Sequence, residues 1–376
     1  MRTRMVEGEE VSGGSRRRST NPDAYVWLER MAARGWTAPT WPREYGGAGL
    51  DKAHFLVLLE ELQRINARPP LGGMGITMLG PTLLEYGTEA QKAFHLPRIA
   101  SGEIAWCQGY SEPGAGSDLA SLSTRAVDNG DTFIVNGSKV WTSGADHADW
   151  IFCLVRTDVD APKHDGISFL LFSMDSPGVT TRPIRLLNGH SPFCQTFFDD
   201  VEVPKDQLVH KLNQGWTVAK RLLQHERSGL AQLASAGKAG VMERIAPSLP
   251  LPELARWYAG DRPLSPDTRR ELAALSMRDR ALALTQRRAV AESEAQTPGA
   301  ATSIFKFVEA EIVKDQLELQ LRLRGTQAFG WEGDAFTAEE QSMCRLWLES
   351  KAISIAGGSN EIQLNIIAKR VLGLPD

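Results

Sequence analysis

At 376 residues the chain exceeds the size at which a single hydrophobic core stops growing, so two or three packed units are expected, in one chain or repeated across an oligomer. Its hydrophobic fraction of 42% and charged fraction of 23% are those of an ordinary soluble globular protein. A net charge of -4 gives no basis for binding nucleic acid or an anionic membrane, and no apolar run is long enough to span a bilayer.

Residues 1–20 are rich in Gly, Ser and Glu and carry Arg16-Arg17-Arg18, which reads as a solvated, disordered tail. Glu7, Glu9 and Glu10 argue against a mitochondrial presequence, and no signal-peptide core follows the arginines. From 21 to 107 the pattern is helical, with breaks at Pro39 and Pro42, Gly46-Gly47, Pro69-Pro70 and Gly72-Gly73. Phe55, Leu58, Leu59 and Leu62 recur at helical spacing and predict a helix over 51–65. A shorter one runs from Pro81 to Tyr86 and stops at Gly87.

Between 108 and 209 the periodicity becomes two. Asp128-Asn129-Gly130-Asp131 and Asn136-Gly137 are hairpin-turn signals flanking the β-forming Thr132-Phe133-Ile134-Val135. The runs 151–155 and 167–172 read as buried strands, so a small β-barrel or sandwich is expected. From 210 to 376 helical patterning returns, with long helices predicted over 215–244, 266–295, 303–324 and 360–372. Cys107, Cys153, Cys194 and Cys344 are scattered and form no CxxC pair. They read as reduced thiols of a cytoplasmic protein, and no metal site is expected.

Three segments carry candidate chemistry. In Tyr110-Ser111-Glu112-Pro113-Gly114-Ala115-Gly116-Ser117-Asp118, glycines permit close backbone approach, and hydroxyls and amides can donate to phosphate. By local chemistry alone a plain glycine turn is the commoner reading. Asn136-Gly137-Ser138-Lys139-Val140-Trp141-Thr142-Ser143-Gly144 presents an indole followed by two hydroxyls, a set that can pack on a flavin ring and bond its edge. The plainer reading is a core tryptophan. In Gly357-Gly358-Ser359-Asn360-Glu361 a glycine pair opens a helix whose amides suit an oxyanion, or Ser359 is simply a helix cap.

In this order and spacing the segments resemble the acyl-CoA dehydrogenase family. The resemblance runs from about Trp36 to Leu374 and includes Trp41-Pro42-Arg43-Glu44-Tyr45-Gly46-Gly47 and Glu361-Ile362-Gln363-Leu364-Asn365. It implies an α+β multidomain fold: an N-terminal helical domain, a middle β-barrel domain and a C-terminal four-helix bundle. FAD would lie between barrel and bundle. Gln108, Tyr110, Ser111, Gly116, Ser117, Trp141, Thr142, Ser143, Ser359 and Glu361 match the family's flavin-side positions. The implied partners are an acyl-CoA substrate, an electron-transfer flavoprotein, and either further copies of the chain (dimer or tetramer) or a related subunit in a heterotetramer.

The reaction removes a weakly acidic α-proton while hydride leaves the β-carbon, so a desolvated carboxylate and a stabilised enolate oxygen are needed. Many members place that glutamate where this chain has Gly357. A minority, similar to the isovaleryl-CoA and long-chain types, place it on the first bundle helix, and Glu226-Arg227 matches there. The residues agree: Ala219, Leu222, Leu223, Leu230 and Leu233 form an apolar stripe, and Glu226 lies four residues from both Leu222 and Leu230. An acid on such a stripe is more often part of a structural ion pair, but the vacancy at Gly357 favours Glu226 as the base. Gly357 and Gly358 keep their backbone amides for the thioester oxygen, and Arg227 and Ser117 complete the expected substrate side. His225 and His147 are expected to be structural.

The chain departs from the homotetrameric pattern in two places. No arginine–aromatic pair occurs over 262–280, and a pyrophosphate-binding Gln…Gly-Gly segment is replaced by Arg322-Leu323-Arg324-Gly325-Thr326. These departures resemble actinobacterial members acting on sterol side chains or other bulky acyl groups, some of which pair two unlike subunits. Two alternatives follow: a partner subunit with an incomplete flavin site, or a flavin monooxygenase on the same fold. Retention of Glu226 argues against the second.

Overall fold

The computed structural model describes residues 11, 13–16, 21–65, 67, 69–235, 256, 259, 263–292 and 302–375, and the side chains of 52, 63, 226–235 and 290–292 lie outside that description. The chain forms two compact units, Met1–Ile184 with Ser191–Glu226, and Arg185–His190 with Arg227–Asp376.

The first unit opens with four helices: α1 (Pro22–Ala32), α2 (Lys52–Arg64), α3 (Gly80–Tyr86) and α4 (Glu89–Ala100). Asn21 caps α1 by accepting from the Asp23 amide, and Pro22 occupies the first turn, where no amide partner is lost. Helix α4, which hydrophobic spacing did not signal, starts on a reciprocal cap between Thr88 and Gln91. A π-helical turn over Gly75–Leu79 leads into α3.

Part of the stretch expected as a disordered tail is in fact packed. Val11 is buried against Ala24, Leu28 and Leu71. The Gly14 amide donates to Gly102, and the Ser15 amide donates to the Asp149 carboxylate. Arg16 pairs with Asp175 at 2.6 Å. Its glycines allow this course: Gly13 and Gly14 adopt φ of 72° and 96°.

Seven strands follow: β1 (Trp106–Gly109), β2 (Arg125–Asn129), β3 (Thr132–Ser143), β4 (Trp150–Arg156), β5 (Ile167–Ser173), β6 (Val179–Ile184) and β7 (Phe193–Pro204). They form one curled sheet in the order β1-β4-β2-β3-β7-β6, with β5 on β4. The unbroken apolar runs of β4 and β5 reflect burial on both faces. Phe152 and Leu154 join the helices through Leu79, Leu83, Leu96 and Ile99, while Ile151, Cys153 and Val155 pack with Val135, Leu170 and Val201.

The turn expected at Asn129-Gly130 connects β2 and β3, but Asn136-Gly137 does not turn the chain. It is a bulge inside β3, where pairing with β7 shifts between Val135 and Gly137. A Cβ on Gly137 would lie 2.7 Å from Thr124 Oγ1 and 2.8 Å from its Cα, and φ is 145°. Close backbone approach, rather than chain reversal, therefore requires this glycine.

Helix α5 (Gly215–Ser235) begins in the first unit, which ends at Glu226, and its last residues are counted with the second. The second contains α6 (Pro266–Glu292), α7 (Thr302–Arg324), α8 (Ala338–Ser350) and α9 (Asn360–Ile366). Residues 236–244 and 293–295 of two predicted helices lie outside the described residues. Beyond α9, Ile367–Val371 form a π turn. Helix α8 was not predicted, although its Thr337/Glu340 capping box is a local signal. Its Met343 packs with Ala310, Val313 and Leu317 of α7 and with Ile353. Among the described residues no helix is long and apolar enough to cross a membrane.

Candidate active site

Strand β1 runs parallel to β4, with Gln108 opposite Phe152. The Gln108 Nε2 is buried and has no hydrogen-bond partner among the described residues. Tyr110 turns its ring into the core, edge-on to Phe152 and Phe169 at 6.0 and 6.4 Å between centroids. Its neighbour Ser111 accepts the Val140 amide through its carbonyl at 2.8 Å, tying the first segment to β3. A tight turn then closes by paired amide–carbonyl bonds between Glu112 and Ala115. Gly116 and Ser117 follow on the surface. A Cβ on Gly114 or Gly116 would meet nothing within 4 Å, so the chain itself leaves the space over this turn open.

On β3 a second bulge lies between Lys139 and Thr142. It puts Trp141 at φ 60°, a left-handed conformation that costs a bulky residue energy and persists where the surroundings impose it. The indole is 54% exposed, with Phe193 edge-on at 6.0 Å, so it is not a core tryptophan. Next to it Thr142 is fully buried, and its Oγ1 has no hydrogen-bond partner among the described residues. Ser143 is half-buried opposite Phe193.

Reading single residues missed the group that joins the two segments. Lys139 and Glu112 form a buried ion pair at 2.8 Å, with side chains 0% and 6% exposed. The Lys139 ammonium also donates to the Tyr110 carbonyl at 3.1 Å. Glu112 further accepts from the Ser123 amide and hydroxyl and from the Thr124 amide. Burial alone would raise the Glu112 pKa, but Lys139 and these donors outweigh it and hold the carboxyl at about 2. Both residues stood inside the quoted segments, yet 27 positions apart no spacing rule pairs them.

Helix α5 buries Val218, Ala219 and Leu222 completely. Glu226 follows Leu222 by four residues within the same helix, one turn along that face. The side chains of Glu226 and Arg227 lie outside the described residues. Just before them, Glu85 of α3 binds Arg221 through Nε and Nη2 at 2.7 and 2.8 Å and His225 at 3.0 Å. Burial lowers the His225 pKa against the pull of Glu85. His147 likewise pairs with Asp146 at 2.7 Å.

In the second unit Gly357 and Gly358 have φ of 67° and 95°, left-handed values that suit glycine. A Cβ at Gly357 would meet nothing within 4 Å. Ser359 caps α9 by accepting from the Ile362 amide, and Gln363 returns its Nε2 to the carbonyls of Gly357 and Gly358. Asn360 is held on both sides, accepting from Lys306 at 3.3 Å and donating to Glu311 at 2.8 Å. Glu361 is exposed, and its carboxyl is held below its usual range by its own amide and by Ser359. Lys306 and Glu311 were not singled out from the sequence.

In chain order, helices, a curled sheet and further helices follow one another, and the sheet carries hydroxyls, an exposed indole and orphaned buried polar atoms. Family models for the N-terminal, middle and C-terminal domains of acyl-CoA dehydrogenases match residues 10–103, 107–201 and 213–372, and the chain belongs to the acyl-CoA dehydrogenase family, whose members are FAD-dependent oxidoreductases. It is 39% identical to the acyl-CoA dehydrogenase IpdE1 of Mycobacterium tuberculosis, over 97% of this chain and 91% of that protein. It is 36% identical to FadE34 of the same organism, over 92% of this chain but 45% of that longer protein. Among solved structures, the Tcur3481-Tcur3483 steroid acyl-CoA dehydrogenase superposes with a TM-score of 0.77 at 33% identity, covering 94% of this chain and 90% of that one. The ChsE4-ChsE5 complex of Mycobacterium tuberculosis gives 0.76 at 32%, with the same coverage of both chains.

Proposed function

We propose that the chain catalyses FAD-dependent α,β-dehydrogenation of an acyl-CoA whose acyl group is bulky, with Glu226 as the base that removes the α-proton. The observation that carries this reading is the left-handed backbone at Gly357. The loop that bears the carboxylate in many members here has a conformation suited to glycine, while α5 carries Glu226 one turn beyond a fully buried face. A carboxylate on such a face is costly to desolvate, and desolvation is what raises its basicity toward a weakly acidic C–H.

The orphaned Gln108 Nε2 and Thr142 Oγ1, the exposed Trp141 and the open space over Gly114 and Gly116 fit a flavin nucleotide. FAD, when bound, supplies the hydride acceptor. Gln108, Tyr110, Ser111, Gly116 and Ser117 of the first segment, with Trp141, Thr142 and Ser143 of the second, hold it and keep water from it. Ser359 and Glu361, at the start of α9, match the family's flavin-side positions. Gly357, Gly358, Arg227 and Ser117 match the family's substrate-side positions, the two glycines through their backbone amides. The steroid acyl-CoA dehydrogenase among the structural neighbours supports a wide acyl group. Electrons leave to an electron-transfer flavoprotein, by analogy with the family.

Glu226→Gln should retain FAD and lose turnover by roughly 10²–10⁴-fold. The measurement is anaerobic flavin bleaching by a panel of acyl-CoA thioesters, followed by turnover with an artificial acceptor. Bleaching of the variant at the wild-type rate would remove Glu226 from the mechanism. The two-chain neighbours favour a second reading, a subunit that needs a related partner to complete its flavin site. Wild-type chain that binds FAD and turns over only after a partner chain is added would establish it. Oxygen uptake without enoyl product would instead indicate a monooxygenase.

A further inference from the structure

We propose that the buried Lys139–Glu112 ion pair is a positioning device for the flavin site, locking the Tyr110-Ser111 end of one segment to the Trp141 bulge of the other before any cofactor arrives. This rests on the flavin reading above. Neither side chain touches solvent to any extent, and Lys139 is among the largest fully buried side chains of the described residues. Taking two charges out of water offsets most of their attraction, and an apolar pair of similar volume would serve stability as well. What an apolar pair lacks is direction. Lys139 points its ammonium at two acceptors, the Glu112 carboxylate and the Tyr110 carbonyl, and Glu112 fans its oxygens onto Ser123 and Thr124. The distance between the segments and the rotation of the Tyr110 peptide are thereby fixed together.

The position of the pair in the chain supports the same conclusion. Lys139 is the last residue in register with β7 before the bulge, and pairing resumes at Thr142. Between them stand Val140, whose amide reaches the Ser111 carbonyl, and Trp141 in its left-handed conformation. The strained residue is thus pinned on both sides, by the ion pair and by the resumed strand. The orphaned Gln108 Nε2 and Thr142 Oγ1 flank the pair, two residues before Tyr110 and three after Lys139. Polar atoms left for a ligand are useful only when held at a set separation, and these two segments have no other buried charged link among the described residues. Lys139 and Glu112 therefore act through Trp141, Thr142 and Gln108, as positioning residues.

The test compares full-length wild type with Lys139→Met, Glu112→Gln and the double variant, which leaves no buried charge unpaired. Three quantities are read: thermal midpoint of the apoprotein, FAD dissociation constant with the flavin absorbance band, and hydrogen exchange of peptides covering 110–117 and 138–144. Each single variant leaves a buried polar or charged group unpaired and is expected to destabilise the fold, so the double variant decides. It is expected to keep a midpoint near wild type while binding FAD at least tenfold more weakly, with a shifted band and faster exchange confined to those two peptides. A double variant with unchanged affinity, band and exchange overturns the proposal and leaves the pair a fold-holding element. Wild-type protein that takes up no FAD, alone or with a related subunit, overturns the flavin reading and this inference with it, and the wild-type arm separates that outcome from the other.

Discussion

Glu112 carries a titration that the rest of the molecule registers. Its pKa is depressed from 4.5 to about 2 in the folded chain, so its contribution to stability is fully present above about 4.5 and is lost as pH falls through about 2. A shift of this size corresponds to a few kcal/mol, on the order of 1.4 per unit. The expected outcome is that the unfolding free energy of wild type, relative to that of Lys139→Met/Glu112→Gln, falls as pH drops from about 4.5 toward about 2, measured by urea titration. A margin independent of pH would mean that Glu112 has no depressed pKa. At the same scale Trp141 reverses its plainer reading. The indole is outside the core because one extra residue in the strand rotates it off the pleat, and no alternation rule places a bulge.

At the scale of elements, what was legible is what repeats. The unbroken apolar runs over 151–155 and 167–172 and the helical spacing over 51–65 are realised as β4, β5 and α2, respectively. The Asn136-Gly137 signal was misread because a glycine needed for a hairpin and one needed for a close approach look alike locally; only the position of Thr124 separates them. Gly137→Ala should therefore destabilise the sheet by about 1–3 kcal/mol, from a Cβ driven into Thr124. Equilibrium unfolding checks it, and an unchanged midpoint would show that β2 and β3 separate freely. The three site segments were legible because glycines and hydroxyls punctuate them. Their supports were not: Lys139 with Glu112, Asn360 with Lys306 and Glu311, and Glu85 with Arg221 and His225 are each joined across tens of residues.

At the scale of the whole molecule, the arginines that replace the family's pyrophosphate segment are engaged within their own unit, Arg322 with Glu271 and Arg324 with Glu339. The sheet also encloses Cys107, Cys153 and Cys194 with no exposure, while Cys344 of α8 is half-buried. Burial pushes the Cys107 thiol far up and that of Cys153 to about 12, so neither supplies thiolate at neutral pH. A disulfide reagent should accordingly find at most one quick thiol in the native chain and four after denaturation. The rate at which the other three appear reports how often the two faces of the sheet part. Three quick thiols in native protein would show that the sheet opens readily. The chain thus carries an unlabelled clock for breathing of its own middle layer, read by colour change in a cuvette and independent of any flavin or substrate.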